Sequence, residues 1–327
     1  MIIKINSNIF NDNQNLKDVN YLLNIFSENR RYDYFCEYGL IKDSSLFNNL
    51  LELNKELIEQ YFNRFIREST PKISHTISEA TSDTEFNLEE AKIFFNQPLI
   101  IILENNLNDA YFIDQLITVF KKRGKIIRRH KKNNWLKYGN GGGCTNITNF
   151  IEGEMKNFKD LPKENHKYLK CFVLIDSDKR YPTDVRPERA KLFQYLNEKN
   201  IPYHELTKRE MENYLPEEII RTVEKNEDFI DAYLSLTPIQ KDYFDIENGF
   251  EDKNIDDFDQ GIKETYTGLS KEVISVFRKK KMNINNFKTE FPKLFERATQ
   301  EQLKNRADNK SNPNELEDIL HKITQLL

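Results

Sequence analysis

Hydrophobic and polar positions divide the 327-residue chain into three zones. From residue 1 to about 95 the pattern is polar and mostly helical. Leu46–Ile66 repeats apolar residues at steps of three and four, which places them on one face of a helix. Ser69–Thr84, rich in Ser and Thr, reads as a loop or linker.

From about 97 to 220 the character changes. PLIIILE (Pro98–Glu104) is a short unbroken apolar run ending in an acid, followed by the helical pattern of Ala110–Arg123. KIIRRH (Lys125–His130) is a second candidate strand, and a glycine cluster comes next, with a helix starting near Thr145. KCFVLID (Lys170–Asp176) is a third apolar run ending in an acid, followed by a helix at about Arg186–Lys199. IPYHEL (Ile201–Leu206) reads as a fourth strand. Strands that are apolar throughout are covered on both faces, and alternation with helices implies a parallel sheet. The expected fold is α/β: a small Rossmann-like parallel sheet over 97–220, with helical N-terminal (1–95) and C-terminal (221–327) regions. The last zone carries an acidic loop at Asp242–Asp259 and a helical stretch at Glu272–Lys281, and no repeat or heptad is sustained anywhere.

Composition narrows the function classes. Forty-nine basic residues nearly balance 53 acidic ones, leaving a net charge of −4, which argues against a general nucleic-acid coat. Three cysteines (Cys36, Cys144, Cys171) show neither metal-ligand spacing nor a disulfide framework, so a reducing, cytoplasmic setting is expected. No long apolar run opens the chain and the longest, Pro98–Leu103, is too short to span a bilayer, so neither a signal peptide nor a membrane partner is expected. The five histidines are isolated from one another and from cysteine, which argues against zinc.

Functional side chains of open parallel sheets collect at the carboxyl ends of the strands. Glu104 ends one apolar run; Asp176 and Asp178 end another. Neighbouring strands would bring these acids together, a costly arrangement unless a cation neutralises them. Magnesium suits such a set, because it takes carboxylate oxygens and keeps waters for phosphates. The loop Tyr138–Asn146 contributes Gly141, Gly142 and Gly143, whose backbone amides can approach an anion at a helix N-terminus, although no Walker A motif is present. In Arg209–Pro216, Glu210 and Glu212 flank Met211, so on a helix only one of them can face the site.

In order along the chain, these segments resemble the TOPRIM domain, most closely that of OLD-family nucleases and stand-alone bacterial TOPRIM proteins. The likeness rests on IIILE (Glu104), GNGGGCTN, VLIDSD (Asp176, Asp178) and REMENYLP (Glu212), and covers about 97–220. It implies a metal-dependent endonuclease that hydrolyses nucleic-acid phosphodiesters with Mg2+ or Mn2+, as two ions. Glu104, Asp176 and Asp178 would be the catalytic ligands, with Glu212 and Asp109 completing a second site. Asp109 stands five residues after Glu104, where the family places its second acid four residues on. The resemblance further implies an anti-phage effector controlled by a separate ATPase, since this chain has no ATPase motif, and a homo-oligomer is compatible with it. A lysine from the C-terminal region assists the metals in OLD-type nucleases, and spacing does not single one out here. The rival readings are a primase- or topoisomerase-like accessory and a catalytically silent module that binds nucleic acid or a partner.

Lys121–Lys137 carries nine Lys or Arg and no acid. Lys125, Arg128, Arg129, Lys131 and Lys132, with Trp135 for stacking on a base, form the expected nucleic-acid surface beside the glycine loop. Lys279–Lys281 is a second basic cluster.

Overall fold

Side chains alternate between the two faces of a strand, so a strand that is apolar throughout needs a core on each side. The computed structural model describes residues 1–67, 72–80, 82, 84–161, 165–308 and 312–327. Among them, eight strands form two sheets, each four-stranded and all-parallel. The first contains β1 (Ile2–Ile5), β2 (Asp33–Cys36), β3 (His75–Ile77) and β4 (Glu85–Phe86) in the order β2-β1-β3-β4. The second contains β5 (Leu99–Leu103), β6 (Leu136–Asn140), β7 (Cys171–Ile175) and β8 (Tyr203–Glu205) in the order β6-β5-β7-β8. The protein is α/β with parallel sheets, and among the described residues no helix is long and apolar enough to cross a membrane.

The second sheet is a partition between two cores. Leu99, Ile101 and Leu103 of β5, with Phe172 and Leu174 of β7, pack against the helices of the C-terminal zone. Ile100 and Ile102 of β5, with Cys171, Val173 and Ile175 of β7, pack against the first sheet and its helices. All ten side chains are buried. The C-terminal zone is tied on by polar contacts as well. Glu315, in the helix Glu315–Gln325, accepts hydrogen bonds from the Thr207 backbone N–H (2.7 Å) and the Tyr214 hydroxyl (2.5 Å) and lies 2.9 Å from His204 Nε2. Burial alone would push its carboxyl up; the His204 and Tyr214 contacts outweigh that and hold it below its ordinary pKa.

Three expectations need correction. The first zone is mostly helical as expected, but it also carries a parallel sheet, β1–β4, that the pattern does not announce. These strands are two to four residues long. In β1 only Ile3 and Ile5 are buried, so the strands are too short and too polar to show a period. β3 lies inside the stretch read as a linker, of which residues 69–71, 81 and 83 lie outside the described residues. The amphipathic stretch at Leu46–Ile66 is broken into Ser45–Asn48 and Glu52–Arg67. Finally, KIIRRH is not a strand. It belongs to the helix Lys121–Lys132, which buries Gly124, Ile127 and His130 at three-residue steps. The strand beside β5 is instead β6, whose Leu136 and Gly139 alone are buried, so it reads as polar.

Neighbouring residues of one strand therefore serve different cores. Ile101→Ala and Ile102→Ala should each cost about 2–5 kcal/mol in denaturant unfolding. Hydrogen exchange should separate them: Ile101→Ala loosens the C-terminal helices, and Ile102→Ala loosens the first sheet. Loss of protection in the same segments for both would contradict the partition.

Candidate active site

β5 and β7 are adjacent and in register, with Ile102 opposite Val173, so Glu104 and Asp176 leave the sheet side by side at its carboxyl rim. The segment after β8 folds back over them. Ser177 Oγ donates to the Lys208 carbonyl (2.9 Å), the Asp178 N–H to the Arg209 carbonyl (2.9 Å), and the Met211 N–H to Asp176 Oδ1 (2.9 Å). Between these ties Asp178 takes a left-handed backbone, with φ of 54°, a sparsely populated region for a residue with a side chain.

Arg189, buried in the first turn of the helix Pro187–Glu198, joins two of the acids. Its guanidinium makes an ion pair with Glu104 at 2.6 Å and a hydrogen-bonded pair with Asp178. Burial raises the Glu104 pKa and Asp178 adds to it, while Arg189 pulls the other way without cancelling the rise.

On the other side of Asp176 lie Asp109, Glu210 and Glu212. Asp109 closes the turn after β5, with its Oδ2 accepting the Asn105 N–H at 2.7 Å. Burial, with the nearby charges of Glu212 and Glu104, pushes its carboxyl up to about 7. Glu212 is pushed up to about 7 by burial and by Glu210. Asp176 is raised well above its ordinary value by burial, then by Glu104, Glu212, Asp109 and Glu210. Both Glu210 and Glu212 thus reach the cluster. The helical-wheel expectation fails because Glu210 precedes the 3-10 turn Met211–Tyr214 with an extended backbone. Lys288, from the C-terminal zone, enters here. Burial lowers its pKa, but Glu212, Glu210 and Glu247 outweigh burial and hold it above its ordinary value; Glu247 lies 3.3 Å away.

The glycine loop has a different role from the one expected. The N–H groups of Gly142 and Gly143 donate to the Glu104 carbonyl (3.0 and 3.3 Å), and that of Gly141 to Leu103 (2.7 Å). A Cβ on Gly141 would stand 2.6 Å from Ile147 and 2.9 Å from the Leu103 carbonyl, so only glycine fits. The loop fixes the Glu104 backbone and does not offer those amides to an anion.

The basic stretch is also displaced from this rim. Its helix leads into β6 through Trp135, whose carbonyl accepts the N–H of Leu99 at the amino end of β5. The glycine loop follows the other end of β6, about 13 Å along the strand. Trp135 is buried under Arg31 and against His130, so its ring is not free to stack on a base. Lys131 is paired with Asp114 at 2.5 Å. Arg129 is half-buried, and Lys125, Arg128 and Lys132 are exposed. In the second basic cluster Lys280 pairs with Asp228, and Lys281 donates to Asn248 at 3.2 Å.

The donor set has the chemistry of a hard-cation site: Glu104, Asp109, Asp176, Asp178, Glu210 and Glu212 lie together, and the main counter-charges facing them among the described residues are Arg189, Arg209 and Lys288. Arg209 and Lys288 are further shared with Asp245 and Glu247. Among the described residues, however, no three His, Cys, Asp or Glu side chains are gathered as a ready metal-binding group. The Arg189 guanidinium lies between Glu104 and Asp178 on one side. Sequence reasoning missed Arg189 and Lys288, which reach the acids through folding alone.

A raised carboxyl pKa has a definite consequence for stability. The native state holds protons on Asp109 and Glu212 that the unfolded chain has released, so their stabilising effect is complete below about pH 4 and is lost as pH rises through about 7. In EDTA the protein should lose roughly 2–4 kcal/mol over that window, read as a falling Tm. Asp109→Asn with Glu212→Gln should flatten the profile; an unchanged slope would contradict these assignments.

No family model, curated protein or solved structure matches the chain.

Proposed function

We propose that the chain is a TOPRIM-type nuclease that hydrolyses nucleic-acid phosphodiesters with divalent cations. The observation that carries this reading is the convergence of Glu104, Asp109, Asp176 and Glu212, all with raised pKa values, at the carboxyl rim of a parallel sheet. Glu104, Asp176 and Asp178 would hold Mg2+ or Mn2+, with Glu212 and Asp109 at a second ion. Bound there, such ions supply an activated water and charge stabilisation at phosphorus. The chain's own groups have complementary tasks. Lys288 stays charged and faces the acids, placed to meet a phosphate oxygen. A carboxyl with a pKa near 7, as at Asp109 and Glu212, can take up a proton at neutral pH. Lys125, Arg128 and Lys132 remain exposed for contact with a nucleic-acid backbone away from the cleft. The role of anti-phage effector under a separate ATPase rests on the resemblance alone.

One observation favours the silent-module reading. Arg189 already pairs with Glu104 and Asp178, the position that one cation would take. Incubation with plasmid, single-stranded DNA and RNA, in Mg2+, Mn2+ or EDTA, separates the two. Metal-dependent cleavage is expected, falling to background in Asp176→Asn and about 10²–10³-fold in Lys288→Met. Binding without cleavage under every condition would overturn the nuclease and support the silent module.

A further inference from the structure

The amino ends of the strands carry the opposite charge problem. A cavity of about 350 Å³ opens there, bordered by His75 at the start of β3, Lys170 before β7, Lys199 before β8, and Lys167, Phe94 and Leu169. No acid lines it among the described residues. Lys167 is neutralised by Glu90 at 3.1 Å. Lys170 has no acid partner among the described residues: it is 4% exposed, and its Nζ donates there to the Tyr32 hydroxyl at 2.6 Å. Lys199, half-buried, makes no ion pair among the described residues. His75 Nδ1 is buried without a hydrogen-bond partner.

Other basic groups of this junction have structural roles. Arg31 donates to the carbonyls of Asn96 and Gln97 at the end of the helix Leu88–Asn96 and covers the Trp135 ring. Lys170 rests over the rings of Tyr32 (4.6 Å) and Phe94 (6.0 Å), and no carboxylate pairs with it among the described residues. A buried ammonium without a carboxylate is costly, and burial pulls its pKa down against the opposing effect of Tyr32. An isolated structural lysine in this position would be better replaced by an apolar side chain. A lysine that receives an anion from solution has a reason to be there.

We propose that this cavity binds a small organic phosphate, with the phosphate at Lys170, Lys199 and His75 and the organic body against Phe94 and Leu169. Two lysines without acid partners favour a dianion over a single carboxylate. The volume is at the lower end for ligand pockets, which suits a molecule the size of a mononucleotide. The site is separate from the acidic rim, and its fate is independent of the nuclease reading.

Calorimetric titration and thermal unfolding test this with AMP, inorganic phosphate and acetate at millimolar concentration. EDTA is included so that the acidic rim repels phosphate. AMP should bind and raise the Tm by several degrees, phosphate more weakly, and acetate not at all. Lys170→Met should have an unliganded Tm equal to or above that of the parent, and should lose at least about tenfold in AMP affinity. Lys199→Ala should weaken AMP binding while leaving the fold intact, which keeps the test decisive if the first variant does not fold. Absence of binding by both AMP and phosphate would overturn the site. So would AMP affinity unaffected by either substitution. Phosphate binding as tightly as AMP would overturn the organic body.

Discussion

The architecture depends on the burial of β5 and β7 on both faces. Each strand sends alternate residues into two different cores, and all of these residues are apolar. Polar chemistry is thereby excluded from the length of the strands and confined to their ends, where the backbone leaves the sheet. In a parallel sheet all carboxyl ends lie on one rim, so Glu104 and Asp176 need only follow their strands to become neighbours. The two-sided burial that stabilises the fold is also what concentrates the acids.

The two rims then accumulate charge of opposite sign. At the carboxyl rim, burial and mutual repulsion raise the pKa of Glu104, Asp109, Asp176 and Glu212 together. At the amino ends, burial lowers the pKa of Lys170 and takes His75 down to about 4. Neither group of charges is balanced within the described protein, and a buried charge persists only where something compensates it. The glycine loop illustrates how the backbone serves this layout: its amides hold the Glu104 carbonyl, which keeps the carboxylate at the rim.

How much of this was legible in the sequence depended on whether a signal was local. β5 and β7 were readable because double-sided burial writes an uninterrupted apolar run, and their terminal acids were readable with them. β6 was not, because an edge strand buries only Leu136 and Gly139, and the adjacent isoleucines of the basic helix imitated a strand better. The first sheet was hidden by brevity, since β4 is two residues long. Trp135 stood in a basic stretch and invited a stacking role, yet it is covered by Arg31 from a distant part of the chain. Arg189 and Lys288 escaped for the same reason: nothing near them in sequence is acidic in a way that marks the site, and only packing brings them to Asp178 and Glu212.

Arg189 deserves a charge count, because a guanidinium and a divalent cation compete for the same oxygens. Its planar fork spans Glu104 and Asp178 and supplies one positive charge to two carboxylates. Asp176 lies outside that pair, and its raised pKa arises chiefly from burial and from Glu104, Glu212, Asp109 and Glu210. Lys288 and Arg209, shared with Glu247 and Asp245, cannot make up the difference. A purely structural arginine clamp would leave the acids beyond its reach neither paired nor needed. The excess on the Asp176 side is therefore the part of the cluster that internal ion pairing does not explain, and it is that excess, rather than the Arg189 pair, on which cation binding depends.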